Sequence, residues 1–312
     1  MPDLLYEKHD RYAVFTMNRP DRLNALGGTM MDELAEALDD FRQDPNMRAG
    51  ILTGTGRAFS AGADLKEMNE RNQGGQRRGE RTLESAMPFS RHPKPFIAAV
   101  NGLCLAGGLE RALDCDIRIC STEAYFGLFE VKRGILPGYA IHHLARVIPF
   151  GEAMYVLLTA DRVTPEQAHN WGMVHEVTEP DGLMPRAVEI AEMIAENAPL
   201  AVEGTKAIAH HWRQLAIDES YRLGSWVGRT VLNSEDAKEG PRAFVEKRKP
   251  NWQGRRSRER CRDRRISSGS SRRSRPPRFG LSRRRPYRQK PQHRRPAVGL
   301  PCPGPGGTNS RT

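Results

Sequence analysis

The stretch from Pro95 to Asp114, PFIAAVNGLCLAGGLERALD, is the part of the sequence that most directly predicts the fold. Its first six residues, Pro95–Val100, form an apolar run that is typical of a strand buried on both faces. The pair Gly107–Gly108 then marks the start of a short helix that ends near Asp114. A buried strand that leads through a turn into a helix is the unit from which parallel sheets are built.

The same alternation of strands and helices continues on both sides of this stretch. A helix is predicted from Thr29 to about Phe41, where apolar residues recur at helical spacing. Further strands are predicted at Ala13–Asn18, Gly50–Thr53 and Asp116–Cys120. Beyond about Leu144 the pattern is mostly helical, and the predicted helices cover 151–159, 164–171, 181–197, 199–212 and about 217–245. The sequence therefore predicts an α/β fold with parallel strands and a helical C-terminal part.

Charge is distributed unevenly along the 312 residues. Residues 254–312 carry 18 Arg and 1 Lys against 2 acidic side chains, a net charge of +17, whereas residues 1–253 carry 30 basic and 36 acidic side chains, a net charge of −6. The final segment is rich in Arg, Pro, Ser and Gly, and it is predicted to be disordered because it offers little apolar surface to bury. Three interpretations of it stay open: a nucleic-acid-binding arm, a tether to an acidic partner or membrane surface, and a functionless product of out-of-frame GC-rich DNA.

Composition argues against several other classes of protein. No stretch is long and apolar enough to span a bilayer, and the N-terminus lacks the charged-then-apolar pattern of a secretory signal. The five cysteines form no CxxC pair, and three of them, Cys104, Cys115 and Cys120, lie in apolar runs. This usage predicts reduced, buried thiols in a cytoplasmic protein. No spacing of metal ligands is found, so no metal is expected.

Two glutamates suggest the chemistry. Glu110 ends the run LAGGLE and Glu130 ends the run FGLFE, while a third glycine motif, FSAGAD, covers Phe59–Asp64. Two carboxyl groups beside two glycine turns suit proton transfer next to a carbonyl whose oxygen is held by backbone N–H groups. Burial of Glu130 among its apolar neighbours would raise its pKa toward a useful acid–base value.

Each of these features also has a plain structural interpretation. The motifs AGAD and AGGLE are compatible with ordinary loops and close helix packing. A carboxylate at position 110 would be favoured by the helix dipole, and Glu130 could pair with Lys132 or Arg133. Taken singly, the motifs leave structural and catalytic roles open.

Taken together and in order, the motifs resemble those of the enoyl-CoA hydratase/isomerase (crotonase) superfamily. The resemblance covers about Leu5 to Arg255, and its segments are NRP at 18–20, LNAL at 23–26, AFSAGADLKEM at 58–68, KPFIAAVNG at 94–102, AGGLE at 106–110, CD at 115–116, FGLFE at 126–130, GILPG at 134–138 and AFVEKRK at 243–249. It implies a spiral of ββα repeats over residues 1–198 that forms two roughly perpendicular sheets. It also implies a helical part over 199–253 that makes trimers, often paired into hexamers, and residues 254–312 have no counterpart in the family.

The resemblance further implies an acyl-CoA thioester substrate, a setting in fatty acid metabolism and roles for individual residues. Glu110 would activate water for attack at Cβ and Glu130 would deliver a proton to Cα, while the N–H groups of Ala63 and Gly107 would form an oxyanion hole. Coenzyme A is part of the substrate, and no separate cofactor is implied. The implied coenzyme A contacts are Arg22, Leu23, Ala25, Ala61, Asp64 and Leu65, with Phe244 and Lys247 contributed by a neighbouring subunit.

The chain departs from the family pattern after Gly138, where the segment from Tyr139 to His143, YAIHH, replaces a glycine-rich stretch and is about one residue shorter. Tyr139 and Ile141 are therefore expected to line the acyl pocket and to narrow or reshape it. The histidines there could contact substrate or have a structural role. Arg111 follows Glu110 directly and would depress the pKa of Glu110 if it faced inward.

Family members with a glutamate at both positions hydrate enoyl-CoA. The resemblance therefore implies reversible hydration of a trans-2-enoyl-CoA to a 3-hydroxyacyl-CoA. Two alternatives stay open. One is another reaction of the same fold on acyl-CoA, such as isomerisation, dehydration or racemisation, and the other is nucleic acid binding through the basic tail.

Overall fold

The computed structural model of the protein describes residues 1–73, 87–211 and 214–255. Its strands are β1 Leu4–Lys8, β2 Tyr12–Met17, β3 Ala49–Gly54, β4 Ala58–Ser60, β5 Phe96–Val100, β6 Leu103–Leu105, β7 Ile117–Ser121, β8 Tyr125–Gly127 and β9 Glu176–Thr178. Its helices are α1 Met30–Gln43, α2 Leu65–Gln73, α3 Gly107–Asp114, α4 Ala140–Val147, α5 Phe150–Thr159, α6 Pro165–Asn170, α7 Pro180–Ala195, α8 Pro199–Ala209, α9 Ile217–Leu232 and α10 Asp236–Val245. Short 3-10 helices cover Pro20–Arg22 and Glu130–Arg133.

The described strands form two sheets. The larger sheet has the order β1-β2-β3-β5-β7-β9, in which β1 is antiparallel to β2 and the other neighbours are parallel. The smaller sheet has the order β4-β6-β8 and is parallel. The chain visits the sheets in turn, because β3, β5 and β7 of the larger sheet are each followed directly by a strand of the smaller one and then by a helix. The implied spiral of ββα repeats is therefore confirmed.

Strand β5 is buried on both faces, as its sequence predicts. Phe96, Ala98 and Val100 belong to one apolar cluster together with residues of α1 and α3, and Ile97 and Ala99 belong to a second cluster together with residues of α7. Full burial of a large apolar side chain stabilises the fold by roughly 1.5–3 kcal/mol. The central strand is thus fixed from both sides, and the helix α3 that carries Glu110 packs on the same core.

The smaller sheet positions the segments that the sequence analysis singled out. Strand β4 leads into Gly62 and Ala63, β6 leads into Gly107, and β8 leads into Glu130. Because the carboxyl ends of parallel strands meet at one edge of a sheet, three segments far apart in sequence become neighbours.

Most of the predicted elements are confirmed, and one is wrong. The predicted strands at Ala13–Asn18, Gly50–Thr53 and Asp116–Cys120 correspond to β2, β3 and β7 within one or two residues at either end. The three body cysteines are buried and unpaired, as expected. The single helix predicted over about 217–245 is instead two helices, α9 and α10, because the buried Ser234 hydroxyl accepts the Ala237 N–H and starts a new helix.

Some expectations fall outside what the structure tests. The predicted disorder of the arginine-rich segment concerns residues 254–312, of which 256–312 lie outside the described residues. The division of the body into parts at residue 198 stays a prediction. Within residues 1–73, 87–211 and 214–255, no helix is both long enough and apolar enough to cross a membrane.

Candidate active site

A cavity of about 590 Å³ is lined by the segments that follow the smaller sheet and by the loop around residues 22–26. Ten of the residues that the sequence analysis implicated line it: Arg22, Leu23, Ala25, Ala61, Ala63, Asp64, Leu65, Gly107, Glu110 and Glu130. The structure thus brings both glutamates, both glycine turns and most of the implied coenzyme A contacts to one place.

The turns after β4 and β6 touch each other. Gly62 has a positive φ of 85°, and a Cβ atom there would lie only 2.8 Å from the backbone nitrogen of Gly107. Ala106 adopts a positive φ of 49° at the start of α3 even though it carries a side chain. A non-glycine residue in this region is strained, and such strain often occurs at functional sites. Only a glycine at position 62 allows the two turns to pack this closely.

The contact between the turns leaves two backbone N–H groups without a partner. Leu26 pairs with the segment around Ala63, but this pairing uses the carbonyl of Gly62 and the N–H of Asp64. Gly107 is the first residue of α3, where N–H groups have no partner inside the helix. In the described part of the chain, neither the Ala63 N–H nor the Gly107 N–H donates to a protein acceptor. Both residues line the cavity, and two such donors can hold an oxygen atom that gains negative charge.

Glu110 is held by the start of a neighbouring helix. Its side chain lies on α3 and is 7% exposed. Its Oε1 atom accepts a hydrogen bond of 3.1 Å from the N–H of Ala140, the first residue of α4. Glu110 thus occupies the amino end of α4, a place where acidic side chains are favoured.

Glu130 lies in a different environment within the same cavity. It begins the 3-10 helix after β8, is 8% exposed, and its buried Oε2 atom has no hydrogen-bond partner among the residues that the structure describes. Burial raises the pKa of Glu130, and the nearby charge of Glu110 raises it further, while a backbone hydrogen bond and Arg133 oppose the shift. Two carboxyl groups whose surroundings differ in this way can act as an acid and a base.

The loop that supplies Arg22, Leu23 and Ala25 is fixed by one buried side chain. The Asn24 side chain donates to the carbonyls of Ala58 at 2.7 Å and Thr55 at 2.9 Å. These bonds attach the loop to the segment around β4 and compensate the positive φ of Leu23 and Asn24. The side chain of Arg22 is 47% exposed at the cavity edge, so its charge remains accessible to a ligand.

Asp64 lines the cavity and also forms contacts that stabilise the local structure. Its Oδ1 atom accepts the N–H groups of Lys66 and Glu67 and so caps the start of α2. Arg19 lies 3.3 Å from its Oδ2 atom and Arg22 lies 3.8 Å from it. Burial alone would raise the pKa of Asp64, but the two N–H donors and the two arginines together lower it.

Four of the predicted site residues do not line this cavity in the described structure. The Tyr139 hydroxyl forms a hydrogen bond of 2.8 Å with Nδ1 of His143, and Ile141 is exposed on α4. Phe244 is 85% exposed at the end of α10, and Lys247 follows this helix with a positive φ of 52°. The acyl-pocket and subunit-bridging roles of these residues stay predictions.

Several apolar residues of the cavity wall were missed by the sequence analysis: Met68, Leu103, Leu105, Ile135 and Leu136. The alternation Leu103-Cys104-Leu105 was the available signal, since Cys104 is fully buried and the leucines on either side of it point the other way, toward the cavity. Arg111 also lines the cavity. In the described residues, no three His, Cys, Asp or Glu side chains come together as a metal site.

The chain is similar in sequence and in structure to known enoyl-CoA hydratases. The family described as enoyl-CoA hydratase/isomerase matches residues 7–255. The enoyl-CoA hydratase EchA19 of Mycobacterium tuberculosis is 38% identical over 260 residues, which is 81% of this chain and 97% of that protein. The short-chain-enoyl-CoA hydratase of Clostridium acetobutylicum is 39% identical over 250 residues, which is 79% of this chain and 96% of that protein. A crystal structure of an enoyl-CoA hydratase from Mycobacterium tuberculosis gives a TM-score of 0.76 at 37% identity and covers 82% of this chain and 100% of that one.

The two-sheet spiral and the cavity at the edge of its smaller sheet define an enzyme with the crotonase fold. The chain belongs to the enoyl-CoA hydratase/isomerase family. Enoyl-CoA hydratase or a related crotonase-type activity is the chemistry that this membership supports.

Substituting Gly62 with Ala is expected to lower activity toward crotonyl-CoA by at least about 100-fold, because the added Cβ would displace the Gly107 nitrogen. The left-handed backbone adds strain of about 1–2 kcal/mol. Gly172→Ala is the matched control, since Gly172 has a φ of +77° but a Cβ there meets no atom within 4 Å. Backbone strain should lower the thermal stability of both variants, and the clash at position 62 should lower that of Gly62→Ala further. Equal activity of the two would show that the contact between the turns is dispensable.

Proposed function

We propose that this enzyme catalyses the reversible hydration of a trans-2-enoyl-CoA to a 3-hydroxyacyl-CoA. The observation that carries the proposal is that Glu110 and Glu130 line one cavity in different surroundings, since Glu110 accepts the Ala140 N–H whereas burial raises the pKa of Glu130. The relatives named enoyl-CoA hydratase support the same reaction. The reaction moves one water molecule and has no redox step, and coenzyme A enters as part of the substrate.

In the proposed reaction Glu110 acts as the base. Its Oε1 atom is held by the Ala140 N–H, which leaves Oε2 to take a proton from water as the water oxygen attacks Cβ. Glu130 acts as the acid, because its raised pKa favours the protonated form that delivers a proton to Cα. One proton is gained and one is lost, and the two carboxyl groups exchange roles in the reverse direction.

The thioester oxygen is held by the N–H groups of Ala63 and Gly107 in this proposal. Attack at Cβ moves negative charge onto that oxygen before Cα is protonated. Two donors that lack protein partners offer it hydrogen bonds without prior rearrangement. Each such donor is worth roughly 3–4 kcal/mol of transition-state stabilisation.

Coenzyme A would follow the loop after β2 and the start of α2. Arg22 offers a cation to its phosphates, and the backbone and apolar side chains of Leu23, Ala25, Ala61 and Leu65 line the path. Phe244 and Lys247 would reach the nucleotide end of coenzyme A on a neighbouring subunit, for which their positions on the protein surface are suited.

Substituting Glu110 or Glu130 with Gln is expected to lower kcat for crotonyl-CoA by at least about 100-fold each, with KM changed only a few-fold, because each carboxyl acts on a reacting atom. The loss of crotonyl-CoA absorbance measures the rate. Glu166→Gln, on an exposed part of α6, is the control and should keep full activity. If both cavity variants retain the wild-type rate, the two-carboxylate mechanism is wrong. An enzyme that only isomerises enoyl-CoA would support the alternative crotonase reaction.

Substituting Arg133 with Gln is expected to raise the pKa of Glu130 further, because the charge of Arg133 lowers it. Glu130 must carry a proton to act as the acid, so the rate falls as the pH rises through its pKa. The alkaline limb of the kcat profile should therefore move to higher pH in this variant. Lys132→Gln is the control, since its ammonium group donates to the Ala160 carbonyl instead. An unshifted limb in R133Q would argue against Glu130 as the acid.

The enzyme is also expected to assemble as a trimer or a pair of trimers through α9 and α10. These helices expose large apolar side chains, which are Ile217, Tyr221, Trp226, Leu232, Phe244 and Val245. Light scattering should give a mass of three or six chains, and the double variant with Ile217→Glu and Leu232→Glu should dissociate. Met193→Glu, which changes an exposed apolar residue of α7, is the control. A monomeric wild-type protein would contradict this assembly.

A further inference from the structure

Helix α4 contacts α3 at two places. The first is Glu110, the candidate catalytic residue of α3. At the start of α4, the Ala140 N–H donates to Oε1 of Glu110. Tyr139 precedes this helix but provides no side-chain cap for its free N–H groups. Glu110 therefore takes the place of a capping side chain, and the position of its carboxylate depends on where the first turn of α4 lies.

The second point is the ring of His143, one turn further along α4. Its Nδ1 atom lies 2.8 Å from the Tyr139 hydroxyl, and the two rings stack with centroids 4.7 Å apart and an angle of 21° between their planes. The ring also faces the backbone carbonyl of Leu113, near the end of α3, and this carbonyl raises the pKa of His143. The imidazole thus joins the start of α4 to the helix that carries Glu110.

The surroundings of the His143 ring select one neutral tautomer. Burial lowers the pKa of His143 to about 4, and the positive charges of Arg118, His210 and Arg146 act in the same direction. The Leu113 carbonyl can only accept a hydrogen bond and Nδ1 already faces the Tyr139 hydroxyl, so we assign the proton to Nε2. Nδ1 is then the acceptor, and the Tyr139 hydroxyl is the donor. Both nitrogens of the ring are satisfied by this arrangement.

The end of α3 is itself fixed, so it can serve as an anchor. The buried guanidinium of Arg118 donates to the carbonyl of Cys115 at 2.6 Å and to the carbonyl of Met173 at 2.8 Å. A cation at the carboxyl end of a helix also complements the helix dipole. This end of α3 is therefore a fixed reference against which α4 is placed.

We infer that His143 and Tyr139 are positioning residues that hold the first turn of α4 against α3, so that the Ala140 N–H stays on the Glu110 carboxylate. The inference rests on the proposed role of Glu110 as the base. A displacement of about 1 Å at a catalytic group can cost roughly 100-fold in rate, so even a partial loosening of this turn is measurable. His142 is exposed on the same helix and has no part in the arrangement.

The test compares four variants of the full chain with crotonyl-CoA as substrate. His143→Phe keeps the ring volume but removes both hydrogen bonds, and Tyr139→Phe removes only the hydroxyl. His143→Gln keeps a donor that can reach the Leu113 carbonyl, and His142→Phe is the matched control. We expect kcat to fall about 10-fold in H143F and about 3-fold in Y139F, with KM within twofold of wild type. H143Q should recover part of the loss, and H142F should behave as wild type.

Hydrogen–deuterium exchange of peptides covering 138–147 provides a readout that does not depend on activity. The Ala140 amide should exchange at least about 10-fold faster in H143F than in the wild-type protein, and its exchange rate should not change in H142F. The reason is that His143 is inferred to hold this N–H on Glu110. A variant H143F that melts at a lower temperature but keeps wild-type kcat and slow exchange would reduce His143 to a structural residue and overturn the inference. An inactive wild-type enzyme whose Ala140 amide still responds to H143F would instead refute the proposed reaction and leave the positioning intact.

Discussion

The contact between the turn at Gly62 and the turn at Gly107 is the constraint on which the rest of the site depends. It exists because β4 and β6 are parallel neighbours in the smaller sheet, so the chain leaves both strands at the same edge. The absence of a side chain at Gly62 brings the Gly107 nitrogen within reach, and the strained backbone of Ala106 turns the chain into α3. The free N–H groups, the start of α3 and the position of Glu110 all follow from this one contact.

The same sheet explains why the two glutamates differ. Glu110 enters the cavity from a helix and meets the amino end of a second helix, where it accepts a hydrogen bond from the Ala140 N–H. Glu130 enters from the turn after β8 and is buried with one oxygen atom unpartnered, so its protonated form is favoured. Neighbouring negative charge sharpens the difference, because ionisation of Glu110 further raises the pKa of Glu130. The two carboxyl groups that we propose as base and acid thus meet different surroundings within one cavity.

The sequence predicted the larger sheet better than the smaller one, for a physical reason. Strands β3 and β5 are five or six residues long and buried, so their apolar runs are visible. Strands β4, β6 and β8 have three residues each, too few for any period to appear, and only the family resemblance implied a second sheet. Residues of the candidate site could be predicted from the sequence because glycine turns and carboxylates form short motifs along the chain. Contacts between residues that are distant in sequence, such as Ala140 with Glu110 and Leu113 with His143, form no such motif and could not be predicted.

The segment from Tyr139 to His143, where the chain departs from the family pattern, makes contacts in the structure that its sequence does not reveal. In the sequence, a tyrosine and an isoleucine after Gly138 suggest a reshaped acyl pocket. In the structure, the Tyr139 hydroxyl is engaged by His143, while the apolar wall of the cavity comes from Leu103, Leu105 and Leu136. The acyl group of the proposed substrate is therefore expected to meet β6 and the loop before α4, and the predicted roles of Tyr139 and Ile141 in the acyl pocket stay predictions. The Tyr139 hydroxyl and His143 Nδ1, which lie 2.8 Å apart, instead brace the start of α4, the helix whose Ala140 N–H donates to Glu110.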